Sequence, residues 1–207
     1  MHKLILAMLI SFPALADWEG TLHFTHDPPR PGAAKQDGVM HSKKGKVRVE
    51  QETPMGHAIM IFDFKAKKGR LLLPERKSYV EMSDEMSMAG AMPPACDSGK
   101  AEACLTAEGY KKTGSDTIDG RKTTVWEQEK ESRMGHMKQK LWVVDGSKEF
   151  MFLRSTTQSE RGSTRVDVTD FKEKPQADSL FETPSDYTPT DMRGAFGGAG
   201  HRPPGKP

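Results

Sequence analysis

Four short segments of this chain, 59–62, 71–73, 141–144 and 150–153, are apolar at every position. That pattern constrains the fold more than any other. A strand with one face in water would alternate apolar and polar residues, so each reads as a strand with both faces covered. Around them lie further runs of period-2 or β-rich character separated by Gly, Pro, Asp and Ser, which is the pattern of an all-β chain. Trp18, Gly20, Leu22 and Phe24 share one face of a first strand, ended by Asp27-Pro28-Pro29. Residues 46–52 alternate Val47 and Val49 against charged neighbours, and Thr53-Pro54-Met55-Gly56 turns the chain into 58–64 as a hairpin. Strands are also expected at 70–73, 78–82, 117–118, 123–129, 137–144, 149–156 and 165–171, with a tight turn at Asp145-Gly146.

One stretch departs from the strand pattern. Ser83 is a suitable N-cap, Asp84 and Glu85 suit the first turn of a helix, and Pro93-Pro94 stops the run. A second short helix is expected after Asp97-Ser98, ending at Gly109. The fold class expected is therefore mainly β with an α+β element: a curved, half-open antiparallel sheet, an incomplete barrel, with a helical insertion at about 83–109 covering its concave side.

The first residues pair Lys3 with an apolar run and then Ala14-Leu15-Ala16. This reads as a secretory signal peptide cleaved after Ala16, its apolar run being well short of the ~20 residues a membrane span needs. The mature chain is expected to be soluble, periplasmic or secreted, and not an integral membrane protein. It would form a single β-rich domain over 17–189, followed by a disordered Gly/Pro-rich tail over 190–207. Removing Lys3 from a formal charge of +2 leaves +1, so no basic excess points to nucleic acid. In an oxidising compartment Cys96 and Cys104 are expected to form a disulfide rather than remain free.

Met82, Met86, Met88 and Met92 would occupy about 160° of a helix surface, one apolar stripe. Such a stripe can simply pack. It can also form an adaptable lid over an apolar cavity, or supply soft thioether ligands to copper(I). The lid reading takes Met82, Met86, Met88 and Met92 with Trp18, Phe24, Met60, Phe62 and Trp142 as cavity residues. The copper reading takes Met86, Met88 and Met92 with His57 and His136, from the Met-Gly-His sequences at 55–57 and 134–136. No HExxH, GxSxG or phosphate-binding glycine loop is present, so no catalytic residues and no enzyme activity are expected.

Several motifs together resemble a known group. They are Trp18-Glu19-Gly20, Lys46-Val47-Arg48-Val49-Glu50, Leu71-Leu72-Leu73-Pro74, Tyr79-Val80-Glu81-Met82, Thr123-Thr124-Val125-Trp126-Glu127 and Leu180-Phe181-Glu182-Thr183-Pro184 with Tyr187. They resemble an uncharacterised domain family of exported bacterial proteins, similar in layout to the lipoprotein-carrier and lipoprotein-receptor fold of the bacterial envelope. The resemblance covers roughly 17–187. It implies a curved, half-open antiparallel sheet around helices, with an apolar concave cavity for acyl chains or another hydrophobic partner.

Three functions follow as expectations. The first is a periplasmic, non-catalytic binding protein holding a hydrophobic small molecule, lipid or lipoprotein segment, with no cofactor. The second is a Met/His-rich envelope protein binding copper(I). The third is a structural domain that interacts with another envelope protein.

Overall fold

The alternation read in the first strand is the alternation the fold uses. In a computed structural model of the chain, Trp18, Gly20 and Leu22 are buried on one side of β1 (Trp18–Asp27) while Glu19, Thr21 and His23 lie on the other. The structure describes residues 17–29, 36–53, 56–83, 94, 96, 100–132, 135–147 and 150–191. The expected signal peptide and most of the expected tail lie outside them.

Next come β2 (Gln36–Lys43), β3 (Lys46–Thr53), β4 (Gly56–Asp63), β5 (Lys68–Leu73) and β6 (Ser78–Ser83), and, further along, the helix α1 (Ala101–Ala107). The second half holds β7 (Lys111–Ile118), β8 (Arg121–Ser132), β9 (Gly135–Val144), β10 (Phe152–Ser159) and β11 (Gly162–Glu173), and the two-residue β12 (Thr188–Pro189) follows a 3-10 turn at Asp178–Phe181. All belong to a twelve-stranded sheet in the order β12-β6-β5-β4-β3-β2-β1-β11-β10-β9-β8-β7. Every pairing is antiparallel except β12 with β6. Two meanders are thus joined where β1 pairs with β11, and the sheet curves without closing into a barrel.

The strand register places one residue set inward across both meanders. Met82, Gly69, Phe62, Val47, Ser42 and Trp18 face one another in turn from β6 to β1. Another inward row runs Phe24, Val166, Ser155, Leu141 and Trp126 from β1 to β8. Trp18, Leu22, Met40, Val49, Trp126, Leu141 and Val166 meet in one core cluster with Leu105 of α1. Burying that apolar surface stabilises the fold at about 25 cal/mol per Å² removed from water.

Double apolarity has a different cause from the one expected. In β4 and β5 the outward residues Ile59, Ile61 and Leu72 are buried under Phe181, with Leu180 and Tyr187 beside it. The C-terminal segment, not a helix, covers this second face. It is tied down where Arg48 Nη1 donates to the Leu180 carbonyl at 2.9 Å, and by Lys43–Asp178 and Lys77–Asp186 ion pairs at 3.0 and 2.9 Å. In 150–153 the reason is different again: Met151, Phe152 and Leu153 are all buried beside a register shift between Phe152 and Arg154, which breaks strict alternation.

Three expectations about elements are corrected. Met82 is not on a helix: it lies in β6, which ends at Ser83 opposite Lys68, and the helix expected after Ser83 lies outside the described residues. The expected tail begins too early, because Thr190 N–H donates to the Tyr79 carbonyl at 2.8 Å and extends the β12 contact. Strands β2 and most of β7 carry no clear strand signature in sequence, and both are present. The second short helix is found; it ends at Ala107, two residues before the expected Gly109, whose φ of +89° suits glycine just past the Glu108 cap.

Candidate functional site

Cys104 sits on α1 and bonds to Cys96, as expected. The bridge ties the helix to the preceding chain, and Leu105, fully buried, anchors it into the concave face. Helix α1 also positions Tyr110. The Leu105 carbonyl accepts from the Tyr110 N–H at 2.9 Å, and the phenol reaches Gln139 Oε1 at 3.1 Å. Burial pushes the Tyr110 phenol up to about 12, the Glu108 charge adding to it and a hydrogen bond with Gln128 opposing it.

Between the start of α1 and strands β7 to β9 lies an open cleft of about 550 Å³. Its floor is apolar, made by Trp126, Val143 and Phe150, and its rim carries Lys100, Lys112, Glu102 and Asp145. Asp145 Oδ1 accepts from the Thr124 hydroxyl at 2.7 Å. The volume falls in the range of small-molecule sites, which combine an apolar lining with few polar groups.

On the other side of the Trp126–Leu141 row the concave face turns polar. Gln128, Gln139, Thr157, Thr164 and His26 face one another in register across five adjacent strands. The Gln128 amide donates to Gln139 Oε1, Gln139 Nε2 lies 3.5 Å from Thr157 Oγ1, and His26 Nδ1 lies 3.1 Å from Thr164 Oγ1. Gln128 and Gln139 are buried, so their mutual pairing is what makes that burial tolerable. Neither was singled out from sequence. Glutamine at an inward parity position of a long alternating strand was the available signal.

The expected cavity residues divide. Trp18, Phe62 and Met82 share one inward row, and Phe24 and Met60 lie inward in neighbouring rows beside the same core. Gly69 makes room for Phe62: a β-carbon at Gly69 would lie 2.8 Å from the Phe62 ring. Trp142 does not belong with them. It faces outward opposite Arg154, with Arg154 and Lys140 at 5.5 and 5.8 Å from its ring centre, and its indole N–H donates to Asp116 Oδ2 at 3.1 Å. Alternation puts it there, since Leu141 and Val143 take the inward positions. Met86, Met88 and Met92 lie outside the described residues.

The two histidines of the copper reading do not share a site. His57 on β4 pairs with Glu52 at 2.8 Å, and His136 on β9 with Glu131 at 3.0 Å, both on the outer face. Six inter-strand steps separate β4 from β9, roughly 29 Å along the sheet at ~4.8 Å per step. Among the described residues, no group of three or more His, Cys, Asp or Glu could hold a metal ion, and no helix is long and apolar enough to cross a membrane.

The outer face is laced with ion pairs. Lys140–Glu127 at 2.7 Å, Lys138–Glu129 at 3.1 Å and Arg154–Asp167 at 2.7 Å link neighbouring strands. Burial raises the Asp167 carboxyl, but hydrogen bonds from Arg165 and Arg154 outweigh it and hold the group below the usual aspartate range.

Comparison with solved structures shows the fold elsewhere. An uncharacterised conserved protein from Thermus thermophilus superposes with a TM-score of 0.52 at 12% identity, covering 84% of this chain and 90% of that one. The lipoprotein LppX of Mycobacterium tuberculosis matches with a TM-score of 0.44 at 11% identity over 79% of this chain and 90% of its own. LprF from Mycobacterium bovis matches with a TM-score of 0.39 at 12% identity, over 82% and 89%. No family model matches the chain, and no curated protein matches it in sequence. The Thermus thermophilus protein shares the fold; it does not transfer an activity.

Proposed function

We propose that this protein is a non-catalytic carrier that holds a hydrophobic ligand, an acyl chain or similar lipid segment, against the concave face of its open sheet. One observation carries the reading. The cleft of about 550 Å³ has an apolar floor of Trp126, Val143 and Phe150 beneath a helix held by a disulfide. A sheet that curves without closing leaves such a floor accessible from its edge, and transfer of an alkyl chain onto it gains about 0.8 kcal/mol per buried CH₂. The inward row of Met82, Phe62 and Trp18 continues the apolar surface across the first meander.

The Cys96–Cys104 bridge supports an exported setting, periplasmic or secreted, because such bonds persist in oxidising compartments. Removal of a leader ending at Ala16 is part of the same reading. The test is native mass spectrometry and solvent extraction of protein purified from its own compartment, together with delipidation and rebinding of a neutral long-chain alcohol. A bound amphiphile and saturable rebinding are expected. A protein that emerges empty and binds no alkyl chain refutes the carrier.

The copper(I) reading rests on Met86, Met88 and Met92 once His57 and His136 are separated. Copper(I) titration against a variant with all three changed to Ile tests it, and equal affinities remove it.

A further inference from the structure

The rim of the cleft carries a charge pattern that narrows the ligand. On the concave face the row Phe24, Val166, Ser155, Leu141 and Trp126 continues by one more partner: Lys112, opposite Trp126 on the edge strand β7. A row that crosses the inner face, apolar but for Ser155, thus ends in an ammonium group at the mouth of the cleft. Lys100, immediately before α1, stands on the facing wall. Among the described residues neither lysine has a carboxylate partner. Glu102 and Asp145 share the rim, so its charges balance overall and any attraction for an anion is local to the two lysines.

An inward lysine on an edge strand also discourages pairing with other chains. Lys111, Lys112 and Lys122 all charge this edge hairpin, however, and the edge function needs no particular one of them to meet Trp126.

We propose that the cleft takes a single-chain fatty acid, with its alkyl chain on Trp126, Val143 and Phe150 and its carboxylate between Lys112 and Lys100. The inference rests on the carrier reading and names its ligand class. Chain burial supplies most of the affinity. The two solvent-exposed charge contacts add selectivity for the acid over the alcohol, about three- to tenfold in dissociation constant at low salt. That preference is screened as ionic strength rises.

The experiment is displacement of a neutral solvatochromic dye from the delipidated mature protein by dodecanoate, dodecanol and dodecyl phosphate. It is run at pH 8 in low and high salt, on the wild type, on Lys100→Gln/Lys112→Gln and on the control Lys111→Gln. Dodecanoate is expected to bind about three- to tenfold more tightly than dodecanol in the wild type and the control. In the double variant or at high salt the two should come within twofold, with dodecanol affinity unchanged. Equal binding of acid and alcohol by the wild type overturns the headgroup assignment and leaves the carrier standing. Failure to bind either overturns the carrier itself. A preference that survives in the double variant removes these lysines, and dodecyl phosphate binding more tightly than dodecanoate removes the carboxylate.

Discussion

Replacing Phe181 with Ala tests whether the C-terminal segment is a structural layer of the domain. Phe181 is 4% exposed and rests on Ile59, Ile61 and Leu72, themselves 7%, 4% and 1% exposed. Those three residues are held in the β4–β5 ladder and cannot move in to fill a void. Transfer of a phenyl ring back to water costs about 1.5–3 kcal/mol, and the cavity raises the total to about 3–5 kcal/mol. The segment itself can shift toward the sheet, so the lower end, about 3 kcal/mol, is expected. For a domain of this size that lowers Tm by roughly 6–12 °C.

Guanidinium unfolding followed by tryptophan fluorescence measures the free energy, and differential scanning calorimetry measures the shift. Binding of a neutral amphiphile to the concave face should be unchanged in the folded variant, because Phe181 lies on the opposite face of the sheet. A loss under 1 kcal/mol refutes the claim that this segment closes the outer face. Equal loss of stability and of ligand binding refutes the separation of the two faces.

Other substitutions probe separate parts of the structure. Gly162→Ala should destabilise strongly, by about 3 kcal/mol or more, since φ is +119° and the new β-carbon would sit 2.3 Å from the Asp27 carbonyl oxygen; Gly146→Ala, at φ +68° with open space around it, should cost only about 1 kcal/mol in the same denaturation assay. Reducing Cys96–Cys104, which are eight residues apart, should cost about 2.5 kcal/mol in the chain-entropy account, read as the difference between denaturation curves with and without reductant. Asp167→Asn should cost about 1–3 kcal/mol at pH 7. The folded carboxyl titrates below its unfolded value, so its contribution is full above pH ~4, is lost as pH falls through the folded value, and the two proteins should converge at acid pH. Tyr110 titrates above its unfolded value near 10. Ultraviolet titration should show one phenol ionising toward about 12, with stability falling over that interval and the effect absent in Tyr110→Phe.

What the chain shows on its own follows from which signals are local. The β1 and β3 alternations, the 46–64 hairpin, the short helix before Gly109 and the inward parity of Trp18, Phe24, Met60 and Phe62 all express short-range preferences or a period of two. Such patterns survive in the chain whatever surrounds it. The strands missed, β2 and most of β7, have weak local signals: β2 contains Gly38 and Ser42, and β7 is exposed at nearly every position. They are strands because neighbours supply hydrogen-bond partners.

The sequence by itself determined that the chain is strand-dominated, that some strands must be covered on both faces, and that two cysteines were available to staple a helix. Tertiary structure decided what does the covering. Phe181 reaches Ile59 across 122 positions of sequence, and β1 joins β11 to fuse the two meanders. Trp142 is sent outward while Lys112 is brought in beside Trp126, so the cleft is made of residues that no local pattern groups together. Contacts of that kind depend on register and curvature, which are set by all the strands together rather than by any one of them.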